Sequence, residues 1–211
     1  ALAERLLAVA PPGLARVFYA DNGSSAVEVA LKMSLHYWRN HGEARSRFVA
    51  LTGSYHGETL GALSVTDLGL YREPYRPLLV EPLWAPSPDA YLAEPGESTQ
   101  ACAWRRLDEL RALLEQHGHE VAAVIIEPLV QCAGGMRMHH PDYLRGLREL
   151  CDAFRIHLIA DEIAVGFGRT GTLFACEQAD IRPDFLCLSK GLTGGFLPLA
   201  TVLTTADVYD A

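Results

Sequence analysis

One lysine in this sequence stands where its chemistry could be used. Lys190 follows the apolar run 185–188 and precedes a glycine-rich stretch, 191–195. The chain has only one other lysine, Lys32, and its remaining basic residues, histidines apart, are arginines. Only the lysine amine can lose its proton near neutral pH and attack a carbonyl carbon to form a Schiff base. A surface lysine at the end of a strand is the simpler interpretation, so the residues around Lys190 must decide between the two.

Other residues have side chains suited to an anionic or heterocyclic ligand. Gly23 and Ser24 lie between a predicted strand and a predicted helix, where free backbone N–H groups and a hydroxyl can bind an anion. Asp161 ends an apolar run, so its carboxylate is expected at the edge of a cleft, where it could stabilise a protonated ring nitrogen. Tyr55, beside His56, offers a ring on which a flat cofactor could stack. Each has an ordinary alternative, respectively a helix cap, a structural acid and a packed ring.

The segment 166–171, Gly-Phe-Gly-Arg-Thr-Gly, matches G-x-G-x-x-G letter for letter. A dinucleotide site needs this motif at a strand-to-helix turn, with an acidic residue at the end of the next strand. Here residues 163–165 separate the motif from the preceding strand, and Asp184 begins the next strand. A nicotinamide-dependent oxidoreductase is therefore the weaker alternative. The two histidine pairs, 117/119 and 139/140, lack further ligands at suitable spacing, so no metal site is predicted.

The candidate residues fall directly after predicted strands. Apolar runs indicate strands at 17–20, 48–51, 121–126, 156–160, 185–188 and 199–204, and apolar residues at helical spacing indicate helices at about 24–41, 104–116 and 141–154. This alternation predicts an α/β fold with a mainly parallel sheet sandwiched by helices. Ligands bind at the carboxyl ends of the strands in such sheets, so the candidate residues are expected to converge on one edge. The proline-rich segment 67–101 is predicted to be an irregular excursion within a single domain, 1–211.

Composition narrows the classes of function. The 211 residues are 49% hydrophobic and 21% charged, which is typical of a globular domain, and the formal net charge is −8. Without a basic block or an apolar run long enough to span a bilayer, neither nucleic acid nor a membrane is expected as a partner. The five cysteines include no C-x-x-C pair, which favours free thiols and a cytoplasmic location. The chain begins without methionine and inside a helical pattern, so we expect it to be a piece of a longer protein.

Taken together, five segments of the chain resemble the class III pyridoxal-phosphate-dependent aminotransferases. These segments are 21–33, 55–59, 125–131, 159–171 and 188–195, and they occur in the order found in that family. Ile163-Ala164, after Asp161-Glu162, is similar to the branch of the family that acts in biotin synthesis. The resemblance implies the large domain of the type I fold of pyridoxal-phosphate-dependent transferases. It also implies that this chain is incomplete and lacks the small C-terminal domain.

The resemblance assigns roles in binding pyridoxal 5'-phosphate. Lys190 would hold the cofactor covalently and, once released, would move a proton between substrate and cofactor. Asp161 would pair with the nitrogen of the cofactor ring. Gly23 and Ser24 would bind the phosphate at the start of the following helix. These roles agree with the chemistry that the residue types allow.

The same resemblance implies a substrate side of the site. Tyr55 would stack near the cofactor ring and border the substrate, Ile163 would pack on the opposite face, and Glu127 would contact the substrate. The substrates would be small molecules, an amine donor and a keto acceptor, and the complete protein would be a homodimer. Another class III enzyme for ω-amino acids, an aminomutase and a non-catalytic module stay open as alternatives.

Overall fold

Strands and helices alternate along most of the chain in the computed structural model, which describes residues 1–211. The strands are β1 Leu14–Ala20, β2 Arg47–Leu51, β3 Leu83–Ala85, β4 Val121–Ile126, β5 Val130–Gln131, β6 Arg137–Met138, β7 His157–Asp161, β8 Phe185–Leu188 and β9 Ala200–Thr205. The α-helices are α1 Leu2–Val9, α2 Gly23–Asn40, α3 Leu60–Ser64, α4 Gly69–Arg72, α5 Thr99–His117, α6 Pro141–Phe154 and α7 Ala206–Asp210. Short 3₁₀ helices lie at Glu73–Leu78, Ala90–Leu92, Gly118–Glu120, Ala175–Ala179 and Lys190–Leu192.

Seven strands form one sheet in the order β1-β9-β8-β7-β4-β2-β3, and β5 pairs with β6 in a separate hairpin. Strands β8, β7, β4, β2 and β3 pair in parallel, while β9 is antiparallel to both β8 and β1. Strand β1 therefore runs in the same direction as the other five, and only β9 is reversed. The carboxyl ends of six strands consequently meet at one edge of the sheet.

Helices cover both faces of this sheet. On one face, α2 presents Ala26, Val27, Ala30 and Leu31 to an apolar cluster that includes alternate residues of the central strands. On the other face, α5 and α6 pack against each other and against the remaining strand residues. All six residues of β4 are fully buried, because both faces of this central strand are covered by helices. The predicted α/β fold with a mainly parallel, helix-sandwiched sheet is confirmed.

Several elements differ from the sequence prediction. Helix α5 begins at Thr99, where Ser98 accepts a hydrogen bond from the N–H of Ala101, whereas apolar spacing in the sequence predicts a start near Trp104. The segment 67–101 contributes β3 to the edge of the sheet, together with α4 and two 3₁₀ helices. Three-residue strands are too short to show a period in the sequence, which is why β3 was not predicted.

The composition predicts free thiols and no segment that spans a membrane. All five cysteines are free thiols; four are buried and Cys132 is half-buried. None of the helices combines the length and the apolarity that crossing a membrane requires.

His157 makes the stability of this fold sensitive to acid. It lies at the start of β7, with its Nδ1 2.9 Å from Ser34 Oγ and its ring against those of Tyr37 and Trp38, whose centroids are 4.6 and 4.8 Å away. Burial lowers the pKa of His157 to about 4, from an ordinary value of 6.5. The folded state thus favours neutral histidine, and the unfolded state takes up the proton first as the pH falls.

We expect His157 to contribute about 3 kcal/mol of stability that is present above pH 6.5 and lost as the pH falls through about 4. Denaturant unfolding of the full-length protein at several pH values measures this contribution. In His157→Gln, which keeps a hydrogen-bonding group for Ser34, the loss of stability between pH 7 and pH 4 should be smaller by that amount. His36→Gln, at an exposed position on α2, is the matched control. Equal acid sensitivity in wild type and His157→Gln would contradict the prediction.

Candidate functional site

The carboxyl edge of the sheet encloses a cavity of about 310 Å³. All seven residues predicted from the sequence to form the site line it, namely Gly23, Ser24, Tyr55, Glu127, Asp161, Ile163 and Lys190. They lie at or directly after the carboxyl ends of β1, β2, β4, β7 and β8, so their convergence results from the shared direction of these strands. The individual roles of these residues remain predictions.

The amino end of α2 forms one wall of the cavity. Asn22 caps the helix, and its side chain accepts a hydrogen bond of 2.9 Å from the N–H of Ser25. The N–H groups of Gly23 and Ser24 donate to no other group of the chain. An 18-residue helix thus presents two free donors and its positive end to the cavity, an arrangement suited to an anion such as phosphate.

The loop after β2 approaches this helix end very closely. Ser24 Oγ accepts hydrogen bonds of 2.9 Å from the N–H groups of Glu58 and Thr59. Gly57 has a φ of +126°, and a Cβ at this position would lie 2.3 Å from Ser24 Oγ and 2.9 Å from Ser24 Cα. Both the backbone conformation and the contact therefore require glycine. Because its oxygen holds the loop, Ser24 offers the cavity mainly its backbone N–H.

Asp161 lies at the end of β7 and is held on both carboxylate oxygens. Its Oδ2 is 2.7 Å from Nδ1 of His56, and its Oδ1 accepts a hydrogen bond of 3.1 Å from the N–H of Ile163. The carboxylate is only 4% exposed, and the His56 side chain is fully buried. The other ring nitrogen of His56, Nε2, has no partner in the chain. Asp161 is thus a buried acid of fixed orientation at the cavity wall.

Glu127 joins two of the loops around the cavity. Its Oε2 accepts a hydrogen bond from the N–H of Tyr55 and its Oε1 one from the N–H of Cys132, each at 3.1 Å. Burial raises the pKa of Glu127 to about 7; the charge of His56 opposes this shift, and the charge of Asp161 adds to it. Glu127 therefore titrates in the neutral range.

Tyr55 and Lys190 complete the polar lining. The hydroxyl of Tyr55 donates a hydrogen bond of 2.9 Å to Glu58 Oε1, and burial, together with this bond, raises the pKa of Tyr55 to about 12. Lys190 is exposed, and its amine forms no hydrogen bond or ion pair within the chain. Its amine is therefore available to a ligand in the cavity.

The hydrophobic part of the lining explains the position of Ile163. A Cβ on Gly23 would lie 3.0 Å from Ile163 Cδ1, so the glycine makes room for this side chain beside the amino end of α2. Ile163 directly follows the Asp161-Glu162 pair and is half-buried. A flat ligand in contact with Asp161 would consequently meet an aliphatic surface.

Several residues that line the cavity have no role predicted from the sequence. Glu58, Cys132, Ala133 and Ser189 belong to this group. Glu58 stands three residues after Tyr55, a spacing that could have indicated their contact. Cys132 reaches the cavity only because the β5–β6 hairpin folds back beside Glu127, and no local pattern indicates that approach.

The residues present fit pyridoxal phosphate. Two unpaired backbone donors at a helix end suit a phosphate, a buried carboxylate suits a ring nitrogen and an unpaired lysine amine suits an aldehyde carbon. The segment 166–171 forms turns and not a strand-to-helix junction, so it lacks the geometry of a dinucleotide site.

Comparisons with known proteins agree with this geometry. The family model "Aminotransferase class-III" matches residues 1–211. A Geobacter sulfurreducens protein named adenosylmethionine-8-amino-7-oxononanoate aminotransferase is 52% identical over the whole chain, which spans 47% of that protein. A protein of the same name from Nitratidesulfovibrio vulgaris is 49% identical over 99% of the chain and 39% of its own length. The chain thus spans about half the length of such relatives or less.

Solved structures show the same similarity. The adenosylmethionine-8-amino-7-oxononanoate aminotransferase of Methanocaldococcus jannaschii superposes with a TM-score of 0.89 at 38% identity, covering 99% of this chain and 46% of that one. The omega transaminase of Pseudomonas jessenii, solved in complex with PMP, superposes with a TM-score of 0.93 at 32% identity, covering 99% of this chain and 47% of that one.

We expect Gly57→Ala to separate the β2 loop from the amino end of α2. The new Cβ would collide with Ser24, so the bonds from Glu58 and Thr59 to Ser24 Oγ should break. Amide hydrogen exchange at Glu58 and Thr59 should become at least about tenfold faster, which corresponds to about 1.4 kcal/mol. Gly13→Ala is the control, since Gly13 has a φ of +101° but no atom within 4 Å of a Cβ. Unchanged exchange in Gly57→Ala would refute the close contact.

We expect Glu127 to contribute stability that is present below pH 4.5 and lost as the pH rises through about 7. The folded state favours the protonated acid, because ionising it inside the wall of the cavity costs about 3 kcal/mol. Relative to wild type, Glu127→Gln in the full-length protein should therefore gain stability as the pH rises from 5 to 8, as measured by denaturant unfolding. Glu115→Gln, at an exposed position on α5, should show no such gain. A constant difference between wild type and Glu127→Gln would overturn the prediction.

Proposed function

Because the chain belongs to the class III aminotransferase family, we propose that the protein containing it transfers an amino group from S-adenosylmethionine to 8-amino-7-oxononanoate. The product is 7,8-diaminononanoate, in biotin synthesis. One observation carries the proposed chemistry: an unpaired lysine amine, a buried carboxylate and a free helix end surround one cavity. The names of the relatives that match the whole chain support the choice of substrates.

Pyridoxal phosphate is the cofactor of this family. Its phosphate would accept hydrogen bonds from backbone N–H groups at the start of α2. In the proposal, the N–H groups of Gly23 and Ser24 bind the phosphate, since neither has a partner in the chain. Lys190 attaches the cofactor covalently through its amine. Tyr55 and Ile163 lie against the two faces of the ring, and Gly23 leaves room for the Ile163 side chain.

Asp161 binds the ring nitrogen in this proposal. His56 and the N–H of Ile163 fix the orientation of the Asp161 carboxylate, and its burial strengthens its attraction to a protonated nitrogen. When bound, pyridoxal phosphate supplies an electron sink that allows the α-hydrogen of the amine donor to leave as a proton. A fixed negative charge at the ring nitrogen sustains that property.

Lys190 moves the proton. Its amine lies at the cavity without an acidic partner in the chain, so it could accept at Nζ the proton that leaves the amine donor and release it on the cofactor side, as transfer of the amino group to the cofactor requires. Tyr55 and Glu127 border the substrate side. Both oxygens of Glu127 accept backbone N–H groups, so it shapes this wall and changes its charge near neutral pH.

The complete protein, in the proposal, is a cytoplasmic homodimer that acts on small molecules. Five free thiols support a reducing compartment. The connection between β8 and β9, which follows Lys190, carries Phe196, which is 89% exposed, and Leu197, which is 61% exposed, at the same edge of the sheet as the cavity. Apolar side chains exposed beside a site are suited to burial by a second copy of the chain.

We expect borohydride reduction of the full-length protein with pyridoxal phosphate to label Lys190, as shown by peptide mapping. Lys190→Ala should lose the label and should lower the rate of diaminononanoate formation at least about 100-fold, because it removes the proton carrier. Lys32→Ala, which changes the only other lysine of the chain, should keep both label and activity. Labelling of wild type and Lys190→Ala alike would refute the assignment of Lys190.

The amine donor is tested separately on the same preparations. Formation of 7,8-diaminononanoate with S-adenosylmethionine supports the proposed substrates. The high structural similarity to an omega transaminase favours another class III aminotransferase as the second candidate. Product formation with ω-amino acids, and none with S-adenosylmethionine, would select it. Absence of transamination with every donor would end the proposal.

A further inference from the structure

The loop 162–174 leaves the sheet at the cavity and returns beside the strand it came from. It consists of turns and bends between β7 and the 3₁₀ helix Ala175–Ala179. Ile163 and Ala164, which directly follow Glu162 in this loop, line the cavity. A loop without regular structure needs specific contacts to hold such residues in place, and two contacts of this kind are present.

The first contact is made by Glu162, which joins both ends of the loop. The residue is fully buried, and its Oε2 and Oε1 accept hydrogen bonds of 2.7 and 2.8 Å from the N–H groups of Ala175 and Cys176. Its backbone oxygen accepts a bond of 2.9 Å from the N–H of Gly166, and its own N–H donates to Cys187 on β8 at 3.0 Å. No cation forms an ion pair with it.

A buried carboxylate without a cationic partner carries a large desolvation cost. Burial accordingly raises the pKa of Glu162. The bonds from Ala175 and Cys176 offset part of this cost, and they form only when the loop is closed. The Glu162 carboxylate therefore keeps both of its hydrogen bonds only while the loop stays in this position.

The second contact links this loop to the turn that carries Lys190. Phe167 has a φ of +60°, an uncommon backbone conformation for a bulky residue, and its ring centroid lies 5.7 Å from that of Phe174. A Cβ on Gly191 would lie 2.8 Å from both Cβ and Cδ2 of Phe167. The ring of Phe167 is thus seated directly against the residue that follows Lys190.

We propose that Glu162 and Phe167 are positioning residues that fix the lysine turn relative to the cofactor-facing wall. Closure of the loop by Glu162 sets Ile163 beside Gly23 on one side and Phe167 against Gly191 on the other. One loop thereby determines the relative placement of the aliphatic wall and of the Lys190 amine. The inference rests on the proposed function, since it concerns the placement of a lysine toward pyridoxal phosphate.

The test uses the full-length protein with Glu162→Gln, Phe167→Ala and Phe167→Leu. Glutamine has nearly the shape of glutamate, but its NH₂ group cannot accept the second N–H bond of the 3₁₀ helix. Glu177→Gln is the control, since exposed Glu177 accepts the N–H of Phe174 at 3.0 Å on the same helix and glutamine can keep that bond. If Glu162→Gln does not fold, the two Phe167 variants carry the test.

The readouts separate positioning from stability. Visible circular dichroism of the bound cofactor reports its fixed orientation. In the cofactor-free protein, hydrogen exchange of the Ile163 amide reports the loop, and that of the Leu192 amide reports the lysine turn. We expect Glu162→Gln and Phe167→Ala to lower the dichroic signal per bound cofactor at least about twofold. They should lower kcat about 10- to 100-fold with little change in KM. Phe167→Leu should lie between Phe167→Ala and wild type, and Glu177→Gln should match wild type.

Different results would contradict the proposed function and the positioning role of Glu162 and Phe167. If wild type gives no borohydride adduct on Lys190, the proposed function fails. If wild type gives the adduct and the variants differ from it only in melting temperature, with equal dichroism, exchange and kcat, the positioning role is refuted.

Discussion

Three buried carboxylates at the ends of adjacent strands determine where the loops around the cavity lie. Glu127 follows β4, while Asp161 ends β7 and Glu162 follows it. Each is at most 4% exposed, and each has a hydrogen-bond partner at least 14 residues away in the chain: Tyr55 for Glu127, His56 for Asp161 and Cys176 for Glu162. Because a buried carboxylate without partners is costly, these loops are held wherever their N–H groups or the imidazole can reach the acids.

The electrostatics of the cavity follow from the same arrangement. Backbone N–H groups, which carry no net charge, are the hydrogen-bond donors to Glu127 and Glu162, and neither acid forms an ion pair. Lys190 is thereby left without an acidic partner, and the amino end of α2 keeps its two donors. Asp161 apart, the polar groups assigned to the cofactor are therefore ones that form no hydrogen bond within the fold. This division between structural and available polar groups is typical of binding sites that form before the ligand arrives.

Reversal of a single strand also has a consequence for the site. A short connection between neighbouring strands produces an antiparallel pair. The segment between β8 and β9 is such a connection, so it remains at the cavity edge and does not cross the sheet as a helix. The lysine turn and the exposed Phe196 lie in this segment. Strand β9, the antiparallel partner of β8, also pairs with β1. This pairing brings the amino end of α2, which follows β1, into the site.

The amino-acid sequence alone predicts the alternation of strands and helices, the bounds of α6, and the edge of the sheet at which the candidate residues meet. These features depend on apolar periodicity and on strand direction, which short stretches of sequence express. Three features become visible only in the folded chain: β3 joins the sheet, β9 is reversed, and His56 contacts Asp161. The tertiary structure alone showed Cys132 at the cavity and Phe167 against Gly191. Those contacts join residues distant in the chain, and their energies depend on burial and close approach, which exist only once the chain has folded.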